Sequence, residues 1–160
     1  AGLLCILLGM GMPTPSAYIL AAVLIADVLI GVNIDVLTVH MFLLFFAVLS
    51  AITPPVAVAA YAASSIAEAN PLSIAVTGLR LSLVLFIIPF AFVYNPSLLA
   101  QGSMSSVIVA FILAVLGVFL LCVASEGYFR RPLKTWERLV AVGLGGCLLF
   151  PTIFLENLKL

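Results

Sequence analysis

From Met104 to Ser125 the sequence carries no charged side chain. About 20 consecutive apolar residues are what an α-helix needs to cross roughly 30 Å of hydrocarbon. Lipid offers no hydrogen bonds, so a chain that spans it must satisfy its backbone within helices or a closed barrel. Barrel strands read as short alternating segments, whereas this sequence has long continuous apolar runs. Composition agrees: 66% of residues are apolar and 8% charged, with a mean hydropathy of +1.42. A soluble domain is about half apolar and a quarter charged. Too few polar side chains remain to cover a water-facing surface, which excludes a soluble enzyme. Six basic and six acidic residues cancel, so there is no cationic field for a phosphate backbone and no nucleic-acid partner is expected. The expected fold class is an all-α polytopic membrane protein in a lipid bilayer.

Polar clusters divide the chain. Residues 1–10 are apolar and lead into Gly9-Met-Gly-Met-Pro-Thr-Pro-Ser16; residues 17–31 are apolar again, up to the turn-like Gly31–Asp35. Residues 36–68 are apolar but interrupted at Thr53-Pro54-Pro55, and Glu68–Pro71 is the next gap. The run 72–94 holds Arg80 and a kink expected at Pro89. A loop around Asn95-Pro96 and Gln101–Ser103 precedes the span 104–125. A charge-rich segment, 126–138, precedes a last span, 139–155. Runs 72–94, 104–125 and 139–155 are read as transmembrane helices. The first two units differ. Residues 1–31 read as two short arms around a Gly/Pro tip at 9–16, a re-entrant hairpin. Residues 36–68 read as a discontinuous helix broken at 52–55. Residues 1–70 are thus expected to form a transport-core element, 71–103 a transmembrane helix with an outside loop, and 104–160 a two-helix C-terminal extension. The chain opens within an apolar run with no basic segment and cleavage site, so it is read as a piece of a longer membrane protein rather than a signal peptide.

Arg130, Arg131, Lys134 and Arg138 lie between two spans, which puts loop 126–138 in the cytoplasm by the positive-inside rule. Counting spans backwards places Glu68–Pro71 in the cytoplasm and Gly31–Asp35 outside. Tyr94, Tyr128 and Trp136 sit near span ends, as interfacial aromatics do.

No catalytic constellation exists. His40 has no acid at i±3 or i±4 and reads as structural or interfacial. Asp27 reads as a cation site or, being close to the Gly31 gap, as a snorkelling interfacial acid. Arg80 reads as an interfacial anchor or as part of an anion or ion-pair site. Cys5, Cys122 and Cys147 are isolated in apolar stretches and read as buried inert thiols. The chemistry lies in the two broken segments. An interrupted helix at membrane depth leaves carbonyls and amides without helical partners, which protein or a water-filled cavity must satisfy. Freed carbonyls and a helix C-terminal end suit Na⁺; freed amides and an N-terminal end suit a carboxylate. Thr14, Ser16 and Thr53 add hydroxyls, and prolines hold the breaks open. Two such segments point to a secondary-transporter site. The alternative from residues alone is that they are mere kinks, in a non-transporting scaffold subunit.

The blocks Gly9-Met-Gly-Met-Pro-Thr-Pro-Ser-Ala-Tyr18, His40, Ile52-Thr-Pro-Pro-Val-Ala-Val-Ala-Ala-Tyr61, Gly78-Leu-Arg80 and Pro89-Phe-Ala-Phe-Val-Tyr-Asn-Pro96 resemble a TRAP transporter permease of the large (M-type) subunit. The nearest likeness is to fused small-plus-large permeases of the TAXI type. The resemblance is strong up to about residue 103 and looser over the last two spans. It implies the second inverted repeat of an elevator-type transporter, in a bacterial or archaeal cytoplasmic membrane. It further implies Na⁺ as coupling ion with no other cofactor, and uptake of carboxylates delivered by an extracytoplasmic solute-binding protein. The rest of the permease, including the small-subunit helices, would be its partner. The Na⁺ site, mainly backbone, would be Gly9, Gly11, Pro13, Thr14, Ala51, Ile52, Thr53 and Val56. The substrate site would include Thr14, Ser16, Thr53, Pro54 and Pro55. Many family members have glycine where this chain has Ala57. A runner-up reading is another Na⁺-coupled elevator symporter of the dicarboxylate type.

Overall fold

A computed structural model describes residues 1–152, and the last part of the expected 139–155 span lies outside them. The described residues form helices joined by short turns, plus one ladder of two two-residue strands. Two compact units are formed, Ala1–Pro89 and Phe90–Leu160.

The first unit begins with α1 (Gly2–Gly9), α2 (Thr14–Gly31) and α3 (Val36–Ser50), which pack against one another. Ala17, Ala21 and Ile25 of α2 are buried at four-residue spacing, and Val39, Phe42, Leu43, Phe46 and Ala47 line the matching face of α3. The Phe42 and Phe46 rings meet at a tilt, 4.8 Å between centroids, and Phe46 also reaches Phe86 at 6.4 Å. The other face of α2 exposes Ile19, Val23, Leu24 and Val28. Apart from Ile25 the inward residues are alanines, while large aliphatics face outward, the arrangement of a helix whose solvent is lipid. Asp35 caps α3 by accepting the Thr38 amide at 3.3 Å. α1, with eight residues, spans only about 12 Å, whereas the 18 residues of α2 reach about 27 Å and satisfy the length for a crossing.

After α3 the chain is irregular until α4 (Val58–Ala67), and α5 (Pro71–Leu81) follows. Asn70 caps α5, its Oδ1 accepting the Leu72 amide at 2.9 Å. The direction then changes by 63° before α6 (Ile88–Tyr94). The kink expected at Pro89 lies earlier. α5 ends at Leu81, and the break falls at its C-cap Ser82, before a 3-10 turn, Leu83–Phe86. Pro89 occupies the first turn of α6, where a missing amide costs no helical bond.

In the second unit a 3-10 turn, Pro96–Leu99, leads to α7 (Met104–Glu126), strands β1 (Tyr128–Phe129) and β2 (Arg131–Pro132), and α8 (Thr135–Leu149). α7 is long and apolar enough to cross a membrane. It buries Ala110, Gly117, Leu121 and Ala124 while exposing Phe111, Ile112, Val115 and Phe119. α7 and α8 meet backbone to backbone: a Cβ on Gly117 would stand 2.9 Å from the Gly145 carbonyl, and a Cβ on Gly145 equally close to that of Gly117. α8 starts four residues before the expected span, because Glu137 in its first turn accepts the Lys134 amide at 2.8 Å. Its 15 residues reach about 22 Å within the described residues, short of a full crossing.

Candidate functional site

The first break runs from Met10 to Pro13. Met10 is extended (φ −61°, ψ 122°) and Gly11 is left-handed at φ +79°. Pro13, at φ −58° and ψ 141°, sets the entry to α2, and Pro15 falls in the first helical turn. Thr14 and Ser16 therefore belong to the start of α2 rather than to unwound backbone, Thr14 half-buried and Ser16 exposed. The expected tip at 9–16 is shorter than the sequence suggests, since proline needs no amide partner in a first turn.

The second break runs from Ala51 to Ala57, enclosing the expected 52–55. Ser50 donates its hydroxyl to the Ala47 carbonyl at 2.7 Å, and Thr53 donates to the Leu49 carbonyl at 2.7 Å. Ile52 and Thr53 amides reach Leu49 and Ser50 carbonyls at 3.2 and 3.3 Å, tightening the end of α3. The Pro54–Pro55 peptide is cis. Ala57 is buried and left-handed (φ 39°, ψ 56°), a conformation that favours glycine. The Ala59 amide returns to the Ala51 carbonyl at 3.0 Å, tying α4 back across the break.

The two breaks meet. Gly9, the last residue of α1, lies against Ser50, the last of α3: a Cβ on the glycine would stand 2.9 Å from the serine Cβ and 3.2 Å from that of Ala17. Gly2, at the other end of α1, faces the Phe46 ring. A Cβ on Gly11 would lie 3.6 Å from Val56. Both α1 and α3 thus terminate at one point. Each C-terminal end carries roughly half a negative charge, concentrated on its last carbonyls. α2 starts at the same break with its N-terminal, positive end. Of the expected ligands, Gly9 makes the contact between breaks, against Ser50. Ala51, Ile52, Thr53 and Pro54 are half-buried behind it, while Gly11, Pro13, Pro55 and Val56 are exposed. The Thr53 hydroxyl spends its hydrogen on Leu49, which leaves its oxygen lone pairs as acceptors.

Ser50 is a member of this site that residue patterns did not single out; it is a buried hydroxyl one step before the break. His40 finds its partner across helices, with Tyr18 Oη 2.9 Å from its Nδ1. Asp27 and Glu68 are exposed. Arg80 is exposed in the last turn of α5, where a cation complements the helix dipole. Of the thiols, Cys5 is buried and Cys147 half-buried; Cys122, expected to be buried, is exposed on the outer face of α7. Among the described residues no three His, Cys, Asp or Glu side chains gather as metal ligands do. A cleft of about 140 Å³ beside Ile52, walled by Ala59, Ala60 and Ala63 of α4 and Ile74, Ala75 and Gly78 of α5, is apolar.

Residues 1–107 match the model of the family described as "Tripartite ATP-independent periplasmic transporter, DctM component". The match covers both breaks and ends within α7. No curated protein and no solved structure matches the chain.

Proposed function

The chain belongs to the family of DctM components of tripartite ATP-independent periplasmic transporters, and from that premise we propose that it is the Na⁺-binding part of a carboxylate permease. The observation that carries this reading is the convergence of the ends of α1 and α3 at Gly9 and Ser50. Two helix C-termini aimed at one point, beside hydroxyl and carbonyl oxygens and with no acid among the residues described there, suit a monovalent cation. Backbone carbonyls around Gly9, Ala51 and Ile52, two of which also accept the Met12 and Ala59 amides, and the Thr53 hydroxyl would hold it. The first turn of α2, at Thr14 and Ser16, offers its positive end to the carboxylate of the solute. Cation and carboxylate then stabilise each other, which couples Na⁺ entry to uptake.

On this reading the hairpin α1–α2 re-enters the membrane, and α3–α4 is one discontinuous helix in a transport element that slides past a scaffold. A solute-binding protein outside the membrane delivers the substrate, the remaining permease helices complete the site, and loop 126–138 faces the cytoplasm. The family match speaks against an unrelated dicarboxylate symporter.

Uptake of labelled carboxylates into proteoliposomes tests the proposal. Transport is expected only when an inward Na⁺ gradient and the cognate binding protein are both present. Uptake that persists at the same rate after the Na⁺ gradient is collapsed would overturn it.

A further inference from the structure

Four of the six basic residues of the chain fall between Arg130 and Arg138, beyond the family match. The structure assigns them two different tasks. Arg131 pairs through both guanidinium nitrogens with Glu137, at 2.5 and 3.3 Å. Arg138 folds back on α7, its Nε donating to the Ala124 carbonyl at 2.9 Å and Nη2 to that of Ser125 at 3.1 Å, so it caps the helix. These two cations are committed to holding the turn. Arg130 lies over the Phe129 ring, 5.9 Å from its centroid, and neither it nor Lys134 has a carboxylate within ion-pair distance among the described residues.

The turn between them is tightly built. Tyr128 pairs with Pro132 and Phe129 with Arg131, leaving Arg130 alone at the tip with φ 55°. The Leu133 amide closes the base on the Gly127 carbonyl at 2.8 Å. Side chains alternate across such a ladder. Phe129 packs edge-on against Phe119 of α7, and Arg131 reaches α8. Tyr128 and Pro132 take the opposite face. Tyr128 and Trp136 are about 60% exposed (59% and 61%). Because the membrane-length helix α7 runs directly into this turn, it stands at the level of the headgroups. Exposed Tyr and Trp prefer that level.

We propose that Arg130 and Lys134, flanked by Tyr128 and Trp136, form a binding site for the phosphate of an anionic phospholipid, and that the turn anchors the α7–α8 pair to acidic lipid. Segment 126–138 carries four cations and two acids, so after its internal pairings the outward field is positive. Phosphate complements it, whereas a zwitterionic headgroup brings its own ammonium to compete.

Trp136 is the sole tryptophan and reports from the site itself. The full chain is reconstituted in mixed vesicles of phosphatidylglycerol and phosphatidylcholine, with one or the other lipid brominated on its acyl chains at equal mole fraction. Trp136 is expected to be quenched more strongly by brominated phosphatidylglycerol, with an enrichment of about fivefold per contributing cation at low salt. The double variant Arg130→Gln/Lys134→Gln should bring the two lipids to parity, while Arg130→Lys/Lys134→Arg keeps the preference. Free glycerol phosphate should not reverse it, since the soluble group lacks the anchoring chains. Equal quenching by both lipids in the native chain, a preference surviving in the glutamine double variant, or reversal by glycerol phosphate would overturn the proposal.

Discussion

Gly9 and Ser50 lie in such close contact that the glycine has no room for a side chain: a Cβ there would stand 2.9 Å from the serine Cβ. Forty-one positions apart in the chain, these residues close the ends of two helices on each other and bring two separate interruptions into one place. Gly9→Ala should therefore force the helix ends apart. The expected cost is about 1–3 kcal/mol of stability, seen as a lowered unfolding temperature in detergent, together with loss of the uptake proposed above. Unaltered stability and uptake would mean that the contact is looser than described.

Ala57 holds a left-handed conformation immediately after the second break. Ala57→Gly should relieve roughly 1 kcal/mol of backbone strain, whereas the β-branched Ala57→Val should destabilise by more than that. Thermal unfolding of both variants checks the sign. A destabilised glycine variant would contradict the strained geometry.

Tyr18 and His40 share a hydrogen bond between α2 and α3. Tyr18→Phe should cost about 1 kcal/mol. In a double-mutant cycle with His40→Phe, the second substitution should cost less once the first is present. Strict additivity would show that the pair does not interact.

Glu137 is held below the ordinary glutamate range by the Arg131 guanidinium, with help from the Lys134 amide. A carboxyl lowered on folding contributes stability above its unfolded value and loses it as pH falls through the folded one. The turn should therefore loosen on the acid side of the ordinary glutamate range, not near neutrality. Emission from the neighbouring Trp136 follows it, and Glu137→Gln should abolish that transition. An acid transition unchanged in the glutamine variant would assign it to another group.

The breaks were legible in the sequence because proline and glycine act locally: Pro13 and Pro15, and then Pro54 and Pro55, dictate where a helix cannot continue. What they leave open is non-local. Nothing near Ser50 in sequence announces that Gly9 packs on it. Nothing near His40 announces Tyr18, 22 positions away. The chain bends at Ser82 without proline or glycine beside it, ahead of a 3-10 turn in which Val84 is buried. The obvious Pro89 merely starts a helix. The start of α8 was hidden for a different reason: Glu137 and Arg138 look like loop charges in a hydropathy profile, yet one caps its own helix and the other the preceding one.

The central claim is that the meeting of α1 and α3 binds Na⁺ through neutral oxygens, and Na⁺-dependent thermal stability tests it most directly. Anything that binds only the folded state raises its unfolding temperature. Purified protein titrated with Na⁺ at constant ionic strength, with K⁺ as the balancing ion, should be stabilised by Na⁺ alone. Thr53→Val, which keeps the shape and removes the hydroxyl, should shift the Na⁺ midpoint upward by roughly tenfold. Equal stabilisation by K⁺, or a Thr53→Val midpoint identical to that of the native chain, would contradict the account.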